Sequence, residues 1–283
     1  MKKMFLFAAI LGIAMSAQAQ VRTPAASPAG SVSSVVGLTD VKIDYSRPKM
    51  KGRKIFGTDA TVLVPYGKIW RTGANNGTTV TFSDDVKVEG TSVPKGTYLL
   101  LTWPGATEWT VALSKDVELG GGVDKYDASK DAAKFKVKPE KLTEKVEVLT
   151  FNVSDISEDS KSAKIQLTWE NTSVKFTVTT DFDAKVMESI AEATKVDPYN
   201  YFAAATYYMD NNKDLKQALE WVNKAAEGMG SPFYVMYQKA RIQKALGDKA
   251  GATASANASI ADAKKNNNVD YQRMNEDLIK SLK

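Results

Sequence analysis

The feature that most constrains the fold is a change in hydrophobic periodicity near residue 181. Between residues 41 and 180, apolar and polar residues alternate along short segments, a period of two that is typical of half-buried strands. After Asp183 the apolar residues recur with helical spacing, and Ala, Lys and Glu become frequent. Strands and helices confined to separate stretches indicate an α+β chain. We therefore expect two domains, an antiparallel β-sandwich at 38–181 and an α-helical domain at 182–283.

The β half contains about eight or nine strand-like runs divided by turn residues, and this spacing predicts a sandwich. The run 164–169 is followed by the turn residues Asn171 and Thr172 and then by the alternating run 174–178. We therefore expect the last two strands to form a hairpin. Residues 20–37 are rich in Ala, Ser, Pro and Gly and are expected to form a flexible lead-in.

Helix start signals are frequent in the second half. A short polar residue such as Asp or Ser before an apolar-periodic stretch favours a helix start, especially when Pro follows. Asp197, Asp214, Asp248 and the pair Ser231-Pro232 meet this condition. These signals predict helices at 183–195, 198–211, 214–228, 232–246, 248–265 and 269–281.

The helical half also contains a repeat of 34 residues. Asp214 and Asp248 are 34 positions apart, and so are Ala218 and Ala252. Paired helices with this period have the length of a tetratricopeptide (TPR) unit. However, the Trp-Leu-Gly-Tyr part of the TPR motif is missing from both units. We predict a TPR-like array, with a generic pair of helical hairpins as the alternative.

The N-terminus has the pattern of a secretory signal peptide. Two lysines precede the apolar run 4–15, and Ala17 and Ala19 give the small-x-small pattern that signal peptidase requires. The run is too short to span a bilayer, which takes about 20 helical residues. We expect a signal peptide at 1–19, cleavage before Gln20, and a soluble product that is secreted or periplasmic and has no membrane span.

The composition excludes several kinds of chemistry. The sequence contains no histidine and no cysteine, so Ser-His-Asp and Cys-His mechanisms, His or Cys metal sites and disulfides are impossible. The 38 basic and 33 acidic side chains are not clustered as nucleic-acid binding requires. We expect no cofactor, no metal and no nucleic-acid partner.

Two strings in the β half resemble a known family. They are SRPKMKGRKIFG, which begins at Ser46, and LVPYGKIWRTGAN, which ends at Asn75. With the later runs 93–98 and 108–111, they make roughly residues 22–180 similar to the DUF2911 family. These are exported bacterial proteins of unknown function, common in Bacteroidota. The resemblance implies a β-sandwich, often followed by a TPR-like helical tail, and it implies no established activity.

Residues 46–77 are the best candidate for a ligand site. They form a stretch of about 30 residues with little strand pattern, and loops of that length are commonly functional or disordered. Arginine offers a bidentate fork and aromatic rings offer an apolar face, a combination suited to planar, anionic or sugar-like ligands. The candidate binding residues are Arg47, Arg53, Tyr66, Trp70, Arg71 and Asn75. In the structural alternative, the arginines pair with nearby acids or cap strand carbonyls, and Trp70 fills the core.

These features together predict an exported, non-enzymatic binding protein of the cell envelope. We expect a protein or peptide partner for the helical domain and a small polar or sugar ligand for the sandwich, with no catalytic residue assigned. One alternative is a carboxylate-based hydrolase or carbohydrate-active protein, which needs two carboxylates facing one cleft of the sandwich. A purely structural envelope protein is the other alternative.

Overall fold

The computed structural model describes residues 23–193 and 197–282. The signal peptide expected at 1–19 and its cleavage before Gln20 lie outside these residues. The chain divides into two compact units, and the division falls between Asp181 and Phe182. Within the described ranges, no helix is both long enough and apolar enough to cross a bilayer.

The first unit is built from antiparallel sheets, which confirms the predicted class of this half. Its strands are β1 (Ala29–Val36), β2 (Thr39–Ser46), β3 (Phe56–Gly57), β4 (Val64–Pro65), β5 (Thr78–Phe82), β6 (Val86–Val88), β7 (Thr91–Val93), β8 (Gly96–Trp103), β9 (Trp109–Ser114), β10 (Asp131–Val137), β11 (Glu140–Ser154) and β12 (Ser162–Thr180). One sheet has the order β1-β2-β5-β8-β9-β10 and the other the order β11-β12-β6-β7. The short strands β3 and β4 pair in parallel.

Side chains from both sheets form one hydrophobic core. The rings of Tyr45 in β2 and Phe151 in β11 have centroids 4.9 Å apart. On β10 and β12, the centroids of Phe135 and Phe176 are 5.4 Å apart. Alternate residues of β2 are buried, because successive side chains of a strand point to opposite faces.

The predicted hairpin at the end of this unit is wrong. Residues 162–180 form one continuous strand, β12, and Asn171 and Thr172 lie inside it. Thr172 pairs with Lys141 of β11, and the register between the two strands shifts nearby. Glu170 has a φ of 53°, so a bulge bends the strand here without ending it.

Part of the expected lead-in is a strand. Residues 29–36 form β1 and pair with β2 along their whole length. Gly37 and Leu38 make the connecting turn, in which Gly37 has a φ of 61° and satisfies the left-handed conformation of a tight hairpin. The Gly and Ser residues of β1 have low strand propensity, so local pattern did not reveal it.

In the second unit, all the secondary structure of the described residues is helical, as predicted. Its helices are α1 (Asp183–Ala193), α2 (Pro198–Asp210), α3 (Leu215–Met229), α4 (Phe233–Ala245), α5 (Lys249–Lys265) and α6 (Val269–Lys280). Three of the predicted caps are formed, since the side chains of Asp197, Asp214 and Asp248 each accept a backbone N–H of the first turn. For α4, Pro232 is the N-cap instead of Ser231.

The 34-residue repeat corresponds to equivalent packing positions. Helix α2 packs against α3 and α4 against α5, while α4 also contacts α2 and α6. Ala218 and Ala252 are both fully buried, and so are Ala225 and Ser259 at the next repeated position. Ser259 replaces an apolar contact by hydrogen bonds, since its Oγ donates to the carbonyl oxygen of Phe233 over 2.6 Å.

Candidate functional site

The segment between β2 and β5 is ordered by its links to both sheets. Trp70 exchanges two backbone hydrogen bonds with Thr102 of β8, of 2.8 and 3.0 Å. Lys49 forms an isolated bridge with Val148 of β11. The segment is therefore a fixed loop, and its side chains have defined positions.

Trp70 lies in the core and is only 8% exposed. Its ring stacks on Trp169 at 5.9 Å with an interplanar angle of 19°, and it meets Phe56 edge-on at 5.8 Å. The indole Nε1 donates to the carbonyl oxygen of Gly73 over 3.1 Å. Of the two roles open to this residue, the structure shows the packing role, and the ring presents no free face to a ligand.

Arg71 lies apart from Trp70, because neighbouring residues of an extended segment point to opposite sides. Its side chain is half-buried, and its Nε is buried without a hydrogen-bond partner among the described residues. A methyl group on Gly121 would lie 3.6 Å from Arg71 Cδ and 2.9 Å from the Asn75 carbonyl oxygen. Glycine at that position therefore permits the close approach of the two segments. The structural alternative offers Arg71 an ion pair with an acid or a hydrogen bond to a strand carbonyl, and neither contact is found for its side chain in the described part of the chain.

Arg47 and Asn75 both hold the segment that precedes β1. The backbone N–H of Arg47 donates to the carbonyl oxygen of Pro28 over 2.8 Å. The side-chain amide of Asn75 donates to Ser46 Oγ over 3.0 Å and lies 3.4 Å from the carbonyl oxygen of Ser27. These two candidate residues thus position the chain around Ser27.

Arg53 lines a cleft that also includes Ser27. The cleft has a volume of about 380 Å³ and is lined by Ala26, Ser27, Lys49, Lys51 and Arg53. Its lining contains three cationic side chains and no acidic one. We refer to this feature as the cationic cleft. It brings Arg53 together with two lysines that were not among the candidate site residues.

Tyr66 belongs to a different cleft of about 260 Å³, where its neighbours include Phe56, Trp109 and Glu140. The six candidate residues are therefore not gathered at one place. Arg53 lines the cationic cleft, Arg47 and Asn75 support its edge, and Trp70 is in the core. Tyr66 and Arg71 lie elsewhere.

Trp103 lines a third cleft, of about 390 Å³, with Glu108 and Lys134. The Nζ of Lys134 lies 4.4 Å from the centroid of the Trp103 ring, close enough for a cation–π interaction. Lys134 thus covers one face of the ring that a sugar would use for stacking. That face of the ring is therefore not open to the expected sugar ligand.

Asp131, Tyr126 and Lys134 form a hydrogen-bonded chain beside this cleft. The Tyr126 hydroxyl donates to Asp131 Oδ2 and lies 3.1 Å from Lys134 Nζ, which donates to it. Burial raises the pKa of Asp131 above its ordinary value, and this outweighs the lowering effects of the Tyr126 hydrogen bond and of Lys134. Burial, followed by the hydrogen bond to Asp131, raises the pKa of Tyr126.

We expect Asp131→Asn to change the pH dependence of stability. A raised pKa in the folded state means that protonated Asp131 stabilises the fold below about pH 4, and that this contribution is lost as the pH rises through the raised pKa. The stability of the variant relative to the wild type should therefore increase from pH 4 to pH 7. Urea unfolding of the whole protein at a series of pH values measures this difference.

Asp127→Asn is the matched control, with the opposite sign. Hydrogen bonds from Ser129 lower the pKa of Asp127, so its contribution is present at neutral pH and lost on acidification. The stability of this variant relative to the wild type should decrease as the pH rises to about 4–5 and should then stay nearly level up to pH 7. If both variants followed the same trend, the assigned environment of Asp131 would be incorrect.

The helical unit has a groove along α2, α4 and α6 with a volume of about 540 Å³. Its apolar lining consists of Met209, Tyr237, Ala245, Met274 and Leu278, and its polar lining of Arg241, Lys244, Asp277 and Ser281. We refer to it as the helical groove. Two of its charges are paired, Arg241 with Asp210 at 2.9 Å and Asp277 with Lys280 at 3.0 Å. Lys244 instead donates to Ser281 Oγ over 2.6 Å.

The clefts described above contain few carboxylates. Glu140, Glu108 and Asp277 each stand alone in the lining of a cleft, and the cationic cleft has none. Among the described residues, no group of three acidic, His or Cys side chains is placed to hold a metal ion. The two facing carboxylates of a glycosidase-type site are therefore not observed in these four clefts.

Comparison with known proteins gave one match. The model of a family described as "Protein of unknown function (DUF2911)" matches residues 27–178. Searches of curated proteins and of solved structures gave no significant match. The matched range contains both antiparallel sheets except for the last two residues of β12, and the cationic cleft except for its edge at Ala26. It ends before the helical unit.

Proposed function

Because the chain belongs to the DUF2911 family, whose description assigns no activity, we propose from the geometry that it is an exported binding protein of the cell envelope. In this proposal the helical unit is a TPR-like scaffold that holds a peptide segment of a partner protein. The observation that best supports it is the helical groove, which is open, largely apolar and bordered by charge.

The TPR-like assignment has three supports. Asp214 and Asp248 each cap a helix and are 34 residues apart. Small buried residues recur at the same spacing, as at Ala218 and Ala252. The first helices of successive pairs, α2 and α4, contact each other, and α4 contacts α6. Stacked helix pairs of this kind create extended surfaces that hold peptides.

The lining of the groove determines what peptide it suits. Met209, Tyr237 and Met274 offer a flexible apolar surface, and methionine adapts well to varied apolar side chains. Lys244 forms no ion pair with the described residues, so it is free to attract an acidic group. We infer that the preferred peptide has an apolar side chain close to an Asp, a Glu or a terminal carboxylate.

A displayed library of random peptides tests this function with the mature full-length protein. Selected sequences should be enriched in an apolar residue next to an acidic one. For a synthetic peptide of the selected sequence, Lys244→Glu should raise the Kd by about tenfold or more, because it replaces attraction by repulsion. Fluorescence anisotropy of the labelled peptide gives the Kd.

Lys265→Glu is the matched control, since it reverses an exposed charge on α5, which does not line the groove. It should leave the Kd within about twofold of the wild-type value, because surface charges distant from a contact are screened. Equal losses in both variants, or selected peptides without an acidic residue, would contradict the proposal.

The hydrolase alternative has less support. It needs two carboxylates at one cleft, and the two clefts of the β unit described above that contain a carboxylate have one each. No particular contact among the described residues favours the other alternative, a purely structural envelope protein. The binding function is therefore the one that the open clefts of the described residues support best.

A further inference from the structure

The cationic cleft in the β unit is independent of the helical groove and points to a second ligand. Lys49, Lys51 and Arg53 all line it, at alternate positions of one short segment. Three like charges around a volume of about 380 Å³ repel one another. Such an arrangement is expected where a bound anion supplies the compensating charge.

The two lysines of the cleft lack the ion-pair partners that Lys42 and Lys54, close to them in the sequence, have. Lys42 pairs with Asp44 at 2.9 Å, and Lys54 pairs with Asp59 at 2.7 Å. By contrast, the Nζ atoms of Lys49 and Lys51 form no hydrogen bond or ion pair with the described residues.

Two acids contact the backbone of this loop without lining the cleft. Glu147 of β11 accepts a hydrogen bond from the backbone N–H of Lys51 through Oε1, over 2.9 Å, and Glu170 of β12 accepts from the N–H groups of Ile55 and Phe56, each over 3.4 Å. Together these carboxylates neutralise two of the three charges at most. A net positive charge is therefore left at the cleft.

The loop that bears these cations is held in place before any ligand binds. Met50 is buried, and its N–H donates to the carbonyl oxygen of Glu147 over 2.8 Å. Arg53 donates through Nε to Met50 and through Nη2 to Lys49, at 2.9 and 2.7 Å from their carbonyl oxygens. These bonds fix the guanidinium plane and leave Nη1 for a ligand. Pre-organisation of this kind lowers the entropy cost of binding.

We propose that the cationic cleft binds the phosphate group of a phosphate monoester. A dianionic group with three outer oxygens matches the remaining Nη1 donor of Arg53 and two ammonium groups better than a monoanionic carboxylate does. The volume is at the small end of the range for ligand pockets, which suits a compact phosphorylated molecule or a phosphorylated lipid headgroup.

Titration calorimetry of the full mature protein with glycerol phosphate tests the proposal. Saturable binding with one site per chain is expected. A titration with sodium chloride at the same ionic strength should show no saturable binding. The double variant Lys49→Ala/Lys51→Ala should raise the Kd by about tenfold or more, since it removes two of the three charges. Both side chains are exposed, so thermal melting should be unchanged.

Lys42→Ala/Lys136→Ala is the matched control, because it removes the same net charge from two exposed, ion-paired lysines elsewhere in the unit. It should leave the Kd nearly unchanged. Absence of saturable binding to the wild type, or an equal loss in both double variants, would overturn the proposal.

A second measurement distinguishes the source of the phosphate group. Co-sedimentation with phosphatidylcholine vesicles that contain phosphatidic acid is compared with pure phosphatidylcholine vesicles. If the wild type binds the phosphatidic acid vesicles and Lys49→Ala/Lys51→Ala does not, a lipid headgroup is supported as the source. Glycerol phosphate binding without vesicle binding would support a free small molecule, and absence of both would refute the site.

Discussion

Trp70→Ala is expected to lower the free energy of unfolding of the β unit by about 3–5 kcal/mol, the usual cost of truncating a buried Trp. The side chain is 8% exposed and lies among Phe56, Trp109 and Trp169. These are large rings that cannot collapse into the space left behind without moving the strands that bear them. The variant also loses the hydrogen bond from Nε1 to Gly73.

Chemical denaturation followed by tryptophan fluorescence measures this loss, with Trp103→Ala as the control. Trp103 is half-buried and one face of its ring is covered by the side chain of Lys134, so its truncation should cost clearly less. A small loss for Trp70→Ala accompanied by loss of ligand binding would contradict the core assignment and restore Trp70 as a ligand residue.

The position of Trp70 was not predictable from its neighbours in sequence. A Trp beside Arg71 in a Gly-rich loop is equally consistent with a ligand-binding residue and with a residue that packs in the hydrophobic core. What decides between them is contact with Trp109 and Trp169, which come from distant parts of the chain. The same adjacency explains why Trp70 and Arg71 do not share a surface, since neighbouring extended residues point to opposite sides.

Local signals were sufficient where the structure itself is local. The helix starts at Asp197, Asp214 and Asp248 depend on a side chain that caps N–H groups two or three residues away, so the sequence around each cap contains the whole interaction. The continuity of β12 depends on its ladder with β11. Asn171 and Thr172 have turn propensity, but this tertiary pairing overrides it.

The cationic cleft was predictable in part. Lys49, Lys51 and Arg53 lie within five residues of one another, so the sequence shows a local concentration of positive charge, but the turn at Lys51, which has a φ of 50°, is not evident from it. Only Arg53 of these three is among the candidate residues, because the criterion of arginine close to aromatic rings does not select lysines. The contribution of Ser27 depends on a hydrogen bond to Asn75, which no local pattern indicates.

The repeat of 34 residues predicts a packing role for particular small residues, and this role can be tested by substitution. Ala252 is fully buried in a cluster with Ala240, Ala256 and Leu278, which belong to α4, α5 and α6. Ala252→Leu should therefore lower the free energy of unfolding of the helical unit by about 1–3 kcal/mol, since added methylenes in a filled core force the helices apart.

Ala254→Leu separates this packing effect from any change in helix propensity. Ala254 lies on the same helix, α5, and is exposed, so the identical substitution should change stability by no more than about 0.5 kcal/mol. Circular dichroism at increasing urea concentrations measures both variants in the full-length protein. If Ala252→Leu were tolerated as well as Ala254→Leu, the helices would not need a small residue there. The repeated alanines would then be evidence of spacing alone, and the TPR-like packing of α4 on α5 would lose its main physical support.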